Sequence, residues 1–377
     1  MKKERLVELD VMRGLAFLCI VIQHTIGGFS YSDDITFPGF IISKLMYIGA
    51  ENGVEIFVFL TAVSLIYTYY DNFNIKDFYI KKLKFLVLPF VIWSIIILIE
   101  KGEPLNFQSI LVIFTGDAQY HLWYMGMILR IYLYFPLILW CVRKVCKANI
   151  YIKSIIFALL TFLYWYILNN YGIAEYVKQF FFKNPTKLEK KVVNVSPAFY
   201  YLYFVIGAYA VCSYKKFKEF ILNHKILISV LYLISYGFYN YVAITEKYFK
   251  EYEIVKSSIV TSIIYRTVSI IFFYMISCII KEKSKYILGL IKLVSRYSFP
   301  AYLLHVMVIN SLTSYIPIKP EFLCHFKLFV YGTLITVALC WILNYIPYSE
   351  YIIGVKSRLK IDFHNFHKRN SESKAQF

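Results

Sequence analysis

The chain is built of long apolar blocks separated by short connectors rich in lysine. A helix needs about twenty apolar residues to cross a bilayer core. Blocks of that kind lie near residues 8–27, 53–70, 85–100, 121–142, 150–169, 198–214, 226–244, 259–280, 297–315 and 326–346. The pattern predicts an all-α integral membrane protein, a bundle of about ten transmembrane helices. These fill residues 1–355 as one transmembrane domain, and 356–377 reads as a basic, disordered tail. The first block is not a cleavable signal, because Arg13 interrupts its apolar run and no small-x-small cleavage site follows.

Composition agrees. Of 377 residues, 59% are hydrophobic and only 17% charged, against about a quarter charged in a soluble domain. That excludes a water-soluble enzyme, a disordered chain and a collagen-like chain. The net charge of +18 would point to nucleic acid in a soluble protein, but here it follows from topology. Lysine and arginine gather at the N-terminus, around 71–84, 143–149, 215–225 and 281–296, and in the tail. Positive loops stay inside, so both termini are expected in the cytoplasm, with membrane lipids as neighbours and no nucleic-acid partner. The segment 170–197 falls on the outer side in spite of Lys178, Lys183, Lys187, Lys190 and Lys191. Tyr176, Phe180, Phe181 and Phe182 among these lysines predict an amphipathic surface segment. The seven cysteines show no CxxC or zinc-ligand spacing, so free thiols packed in helices and no bound metal are expected. Heavy use of Ile, Lys, Tyr and Asn fits an AT-rich bacterial genome and hence a bacterial cytoplasmic membrane.

An ionisable side chain at the bilayer centre costs about 2.5–3.5 kcal/mol on insertion scales, so each one in a span calls for a cavity or a partner. In LDVMRGLAFLCIVIQHT, Arg13 and His24 share one helical face to within about 20° and stand about 16 Å apart along the axis. Singly, Arg13 reads as a snorkelling anchor and His24 as an interfacial or packing residue. Together they are explained by a cavity running most of the way through the membrane. Glu55, in ENGVEIFVFLTAVSL, could face headgroups or pair with His24, the usual setting of a histidine general base. Thr61 and Ser64 read as helix–helix hydrogen bonders. Lys81, Lys82 and Lys84 crowd the mouth of the third span, where Pro89 is expected to kink the helix and free backbone groups. Such a cluster suits phosphates and anionic headgroups alike. His121 and Trp123 open the fourth span, with Arg130 deep enough to require a partner or water. Arg266 is similarly deep. Tyr302 and His305 follow Arg296 in the ninth span, and His305 alone would read as a packing residue.

In sequence order, these residues resemble the membrane acyltransferase family 3, bacterial O-acetyltransferases that modify cell-surface glycans, exopolysaccharides among them. The resemblance rests on Arg13-x10-His24, GVEIFVFLTA (53–62), KLKFLVLP (82–89), HLWYMGMILRIYLYFPLI (121–138) and SRYSFPAYLLHVMVI (295–309), and runs over residues 5–356. It implies that His24 is the catalytic base and that Arg13 and the Lys81–Lys84 cluster lie near the phosphates of an acyl-CoA donor, acetyl being the default group. The family's cytoplasmic arginine pair appears here as lysines, which hold phosphates only as point charges. Its Ser-Gly after the second-span leucine reads Thr61-Ala62.

On this reading the donor docks at Arg13, Lys81, Lys82, Lys84 and Arg296, and a pantetheine arm as long as the Arg13–His24 rise carries the thioester to His24. Oriented by Glu55, His24 would take the proton of an acceptor hydroxyl, with His121, Tyr302 or His305 steadying the oxyanion. Trp123 and Arg130 are further substrate contacts. The alternative is a transporter or flippase for a lipid-linked or polymeric glycan. Against it, no paired, interrupted half-helices stand in matching positions.

Overall fold

The computed structural model of the protein describes residues 4–30, 37–249, 252–316 and 321–359; the rest of the expected tail lies outside them. In lipid every backbone polar group must be satisfied within the segment, which makes helices of the apolar blocks. In chain order these are α1 (Val7–Ser30), α2 (Phe37–Ala50), α3 (Gly53–Tyr69), α4 (Ile75–Lys82), α5 (Leu88–Glu100), α6 (Phe107–Thr115), α7 (Trp123–Lys147) and α8 (Ile150–Asn169). The chain continues through α9 (Tyr171–Phe182), α10 (Lys187–Asn194), α11 (Tyr201–Cys212), α12 (Tyr214–Asn223), α13 (Lys225–Phe249), α14 (Tyr252–Lys283), α15 (Lys285–Thr313), α16 (Phe322–Leu343) and α17 (Ser349–Ile352).

Among the described residues, nine helical stretches are long and apolar enough to cross a membrane. The remaining expected block, 198–214, forms α11, apolar but only 12 residues long. The ten blocks of the sequence thus appear in order as a multi-pass bundle. Two boundaries move. A further helix, α2, precedes the second span, and α15 begins at Lys285, so Arg296 lies inside a helix rather than ahead of one. Helical hydrogen bonding does not stop where the apolar residues stop.

The third span joins α4 to α5 through a π-helical turn, Leu83–Val87, in which the Leu88 N–H donates to the Leu83 carbonyl. Pro89 has no N–H to offer the Phe85 carbonyl, and the wider turn accommodates that loss. The segment after α16 folds back onto this turn. Gly354, with φ of 68°, lies so close that a Cβ there would stand 2.4 Å from the Phe85 oxygen. Only glycine satisfies both the backbone conformation and the approach.

At the centre of the bundle is α1, packed against α2, α3, α14, α15 and α16. Val11, Met12, Ala16, Phe17 and Val21 are fully buried there. Gly14 lets α15 come into contact beside Arg13, since a Cβ would meet Ile291 Cγ2 at 2.6 Å. By contrast α8 turns Ile155, Leu159 and Phe162 outward, as suits a helix facing lipid tails, which are as apolar as its own side chains. The segment 170–197 forms α9 and α10, and Tyr176, Phe180 and Phe181 are exposed as an amphipathic surface segment requires.

One expectation is corrected. Cys146, near the end of α7, and Cys212, at the end of α11, form a disulfide with Cα atoms 5.0 Å apart. The two meet because α7 packs on α11, a juxtaposition across 66 residues that no local spacing announces. Cys19, Cys141, Cys278, Cys324 and Cys340 are free thiols.

Candidate active site

At one end of α1, His24 meets His121, which precedes α7, and His305 of α15. Ring centroids are 6.0 Å apart for His24–His121, 5.1 Å for His24–His305 and 4.8 Å for His121–His305. His121 Nε2 and His305 Nδ1 both lie on the carbonyl oxygen of Tyr302, at 3.0 and 2.8 Å. A carbonyl can only accept, so both of these nitrogens carry the proton. In the neutral ring the opposite nitrogens are then bare lone pairs. Those atoms, His121 Nδ1 and His305 Nε2, are buried and have no hydrogen-bond partner among the described residues. The Tyr302 hydroxyl donates to the His121 carbonyl, which ties α15 to the turn before α7 a second time. The rings of Tyr120 and Phe17 close the cluster, 5.1 Å from His24 and 6.1 Å from His305.

This arrangement presents proton acceptors and withholds donors. The N–H groups of His121 and His305 and the O–H of Tyr302 are all committed within the cluster, so none of the three, in its neutral state, has a proton free for an oxyanion. The sequence expectation for them is corrected on that point. Among the described residues, no three His, Cys, Asp or Glu side chains converge to hold a metal ion.

Glu55 is placed elsewhere. Its carboxylate, 2% exposed, pairs with Arg266 of α14, which also binds Glu51 at 2.6 Å. The expected His24–Glu55 pair therefore gives way to a guanidinium held between two carboxylates, a stronger partner for a buried acid than a neutral imidazole. Trp123 packs its ring 5.2 Å from that of Tyr200. Arg130 turns away from the histidines, donates to the Val192 carbonyl and lies over the Phe114 ring at 4.9 Å. Its required partner is thus the Val192 carbonyl of α10.

At the other end of α1, Arg13 borders three cavities. A chamber of about 240 Å³ runs inward between Arg13, Lys82, Thr61, Ser64, Tyr124, Tyr132 and Tyr302. Tyr302 forms its far wall, with its ring 5.4 and 5.9 Å from those of His121 and His305. Thr61 and Ser64 thus line space rather than only bond helices. Outside Arg13 lie openings of about 900 and 730 Å³. The second is bordered by Arg5, Arg13, Lys292, Arg296, Lys356 and Arg358, with Asp10 the acid among them. Asp10 binds Arg13 at 3.1 Å and Arg5 at 2.6 Å, leaving a strong excess of positive charge.

The lysine cluster divides three ways, because neighbouring positions on a helix point about 100° apart. Lys82 enters the chamber, its ammonium 4.3 Å from the centre of the Tyr132 ring. Lys81 borders a separate cavity with Asp71, Asp77 and Arg143. Lys84 binds Glu350 at 3.3 Å and lies 4.4 Å over Tyr351, so it clamps the segment after α16. Burial works to raise the Glu350 carboxyl, but hydrogen bonds from its own N–H, Lys84 and the Ser357 N–H hold it below the ordinary glutamate value. Sequence reasoning missed Arg5, Lys292, Lys356 and Arg358 at the mouth. Lysine and arginine beside a span end look alike whether they face lipid or a cavity.

Comparison with known proteins accords with this geometry. A family profile described as an acyltransferase domain matches residues 6–345, so the chain belongs to membrane acyltransferase family 3. It is a multi-pass membrane acyltransferase, and the exporter alternative is set aside. No curated protein and no solved structure matches the chain.

Proposed function

We propose that the protein moves an acyl group, acetyl in the first instance, from cytosolic acyl-CoA to a hydroxyl of a cell-surface glycan or similar extracytoplasmic acceptor. The Arg13 end and both termini face the cytoplasm of a bacterial cell, and the His24 end lies near the outer face of its membrane. The observation that carries this reading is a chamber that shares Arg13 with a cationic opening and is lined by Tyr302, which packs against a cluster of histidines with bare nitrogens.

The nucleotide and its phosphates bind among Arg13, Lys292, Arg296, Lys356 and Arg358, where cationic hydrogen bonds to phosphate are strong. The pantetheine arm follows the chamber past Lys82, Tyr132 and Tyr124, delivering the thioester carbonyl beside the histidines. His24 takes the proton of the acceptor hydroxyl as its oxygen bonds to the thioester carbon. The carbon–sulfur bond then breaks, and the proton passes from His24 to the departing thiolate. Such base assistance contributes typically 10²–10⁴-fold. His121 and His305, pinned by Tyr302, hold the His24 ring in place by packing.

The test uses inside-out membrane vesicles fed acetyl-labelled CoA. Label appearing in a hydroxyl-bearing glycan, and lost with His24→Ala, is the expected result. Full turnover by His24→Ala would remove His24 as the base, and failure of the wild type to consume or bind acyl-CoA would overturn the reading as a whole.

A further inference from the structure

The cationic opening beside Arg13 is assembled in part by a residue that does not border it. Asn344, at the end of α16, is fully buried. An asparagine side chain has two N–H donors and a carbonyl oxygen with two lone pairs, and here all of them are engaged. Nδ2 donates to the Lys356 carbonyl at 2.8 Å and to Ser349 Oγ at 3.2 Å. Oδ1 accepts from the Tyr297 hydroxyl at 3.2 Å and, in a longer contact of 3.5 Å, from Arg296 Nη2. The Asn344 backbone carbonyl takes the Arg358 N–H at 2.9 Å. One residue thus grips the chain on both sides of Ser357 and touches Arg296 of α15 as well.

Three of the six cations that border the opening, Arg296, Lys356 and Arg358, therefore meet at one amide. Like charges gathered on one rim repel one another, and the acid bordering the opening, Asp10, is already bound to Arg5 and Arg13. The amide is neutral, so it fixes where the Lys356 and Arg358 side chains leave the backbone without cancelling their charge. The Arg358 guanidinium in turn lies 5.3 Å from the centre of the Tyr345 ring and donates to its hydroxyl at 2.8 Å. A segment held in this way, with its charges uncompensated, is preorganised for an anion, because its ordering is completed in folding and not on binding. Resting on the acyl-transfer reading, we infer that Asn344 is a positioning residue for the donor. It meets no ligand itself; it sets Arg296, Lys356 and Arg358 as a preassembled rim for the donor's phosphates.

The test is a mutant cycle on the full chain in lipid nanodiscs, with coenzyme A and inorganic tripolyphosphate as the probes of equilibrium binding. Asn344→Ala should weaken both by about tenfold, more than Lys356→Ala or Arg358→Ala alone, since it releases several cations at once. In a chain already carrying Lys356→Ala and Arg358→Ala, the further loss from Asn344→Ala should be under about threefold, because residues that act through one another are not additive. A residue that only stabilised the fold would give an additive cycle. Tyr297→Phe, which takes one donor from Asn344 Oδ1, should weaken both probes by about threefold and keeps the test open if Asn344→Ala fails to fold. Wild-type affinity in Asn344→Ala, an additive cycle, no effect of Tyr297→Phe, or binding of neither probe by the wild type would each overturn the assignment. A wild type that binds tripolyphosphate but not coenzyme A would instead strike the acyl-transfer reading, and the role of Asn344 would then be decided by the same cycle on tripolyphosphate.

Discussion

At the Arg13 end of α1, six cationic side chains border a wide opening, whereas at the His24 end two of three imidazoles depend on one carbonyl oxygen. The first arrangement is plural and partly solvated, since Arg13 keeps 34% of its side chain exposed. The second is nearly dry and singular. Exposed charges are each worth little and are screened by salt, while a buried group deprived of its partner loses the full cost of its desolvation. On the proposed function, the contrast means that donor binding is shared among several groups at one end, while the reacting end depends on a few.

Perturbing the two ends separately sharpens this comparison. His24→Ala should lower turnover by about 10²–10⁴-fold while coenzyme A binding, followed by calorimetry, stays within a few-fold of wild type. Arg13→Ala comes next. Arg13 borders all three cavities, so losing a charged hydrogen-bond donor of about 1.5–3 kcal/mol should raise the coenzyme Kd by roughly 10–100-fold. The defect in kcat at saturating donor should be much smaller. Tyr302→Phe leaves the His121 carbonyl without its hydroxyl donor, a cost of about 1–3 kcal/mol. A lower Tm and a fall in kcat of about tenfold, with donor affinity kept, is the expected pattern; loss of donor affinity instead would break the division between the two ends.

Arg358→Ala and Lys356→Ala should each weaken donor binding only a few-fold, and the wild-type donor KM should rise with added salt because charges at the mouth are screened over about 10 Å at 0.1 M. The smallest effect belongs to Glu350. Its folded carboxyl is held below the ordinary value, so its clamp on Lys84 is fully present above roughly pH 4.3 and is lost as pH falls through the lowered value. Glu350→Gln should remove that acid-side slope in thermal stability, at a cost near neutrality of about 1 kcal/mol or less.

The spans were legible because the bilayer imposes one length and one polarity on every crossing segment, and ten blocks emerge in order as helices. The stripe of Arg13 and His24 was legible for a related reason, since a charge inside an apolar run has few innocent explanations. Partners were less legible. Glu55 pairs with Arg266 across α3 and α14, and the Cys146–Cys212 contact depends on how α7 meets α11; both are properties of packing, invisible to spacing along the chain. The lysines divide because a helix rotates neighbours apart, a fact the sequence contains but a count of charges discards. The Tyr302 carbonyl had no signal at all, since every residue carries one.

The segment that folds back on the π-helical turn has a consequence for biosynthesis. Chains emerge N-terminus first, so α1 with both Arg13 and His24 is made before Lys356 and Arg358, which belong to the last stretch bordering the mouth. A nascent chain therefore holds its histidine end long before its cationic rim is complete. Gly354 against Phe85 and Lys84 against Glu350 act as the fastening of a finished protein. A chain cut short after α16 would be inserted in the membrane with its histidines in place and its mouth unfastened.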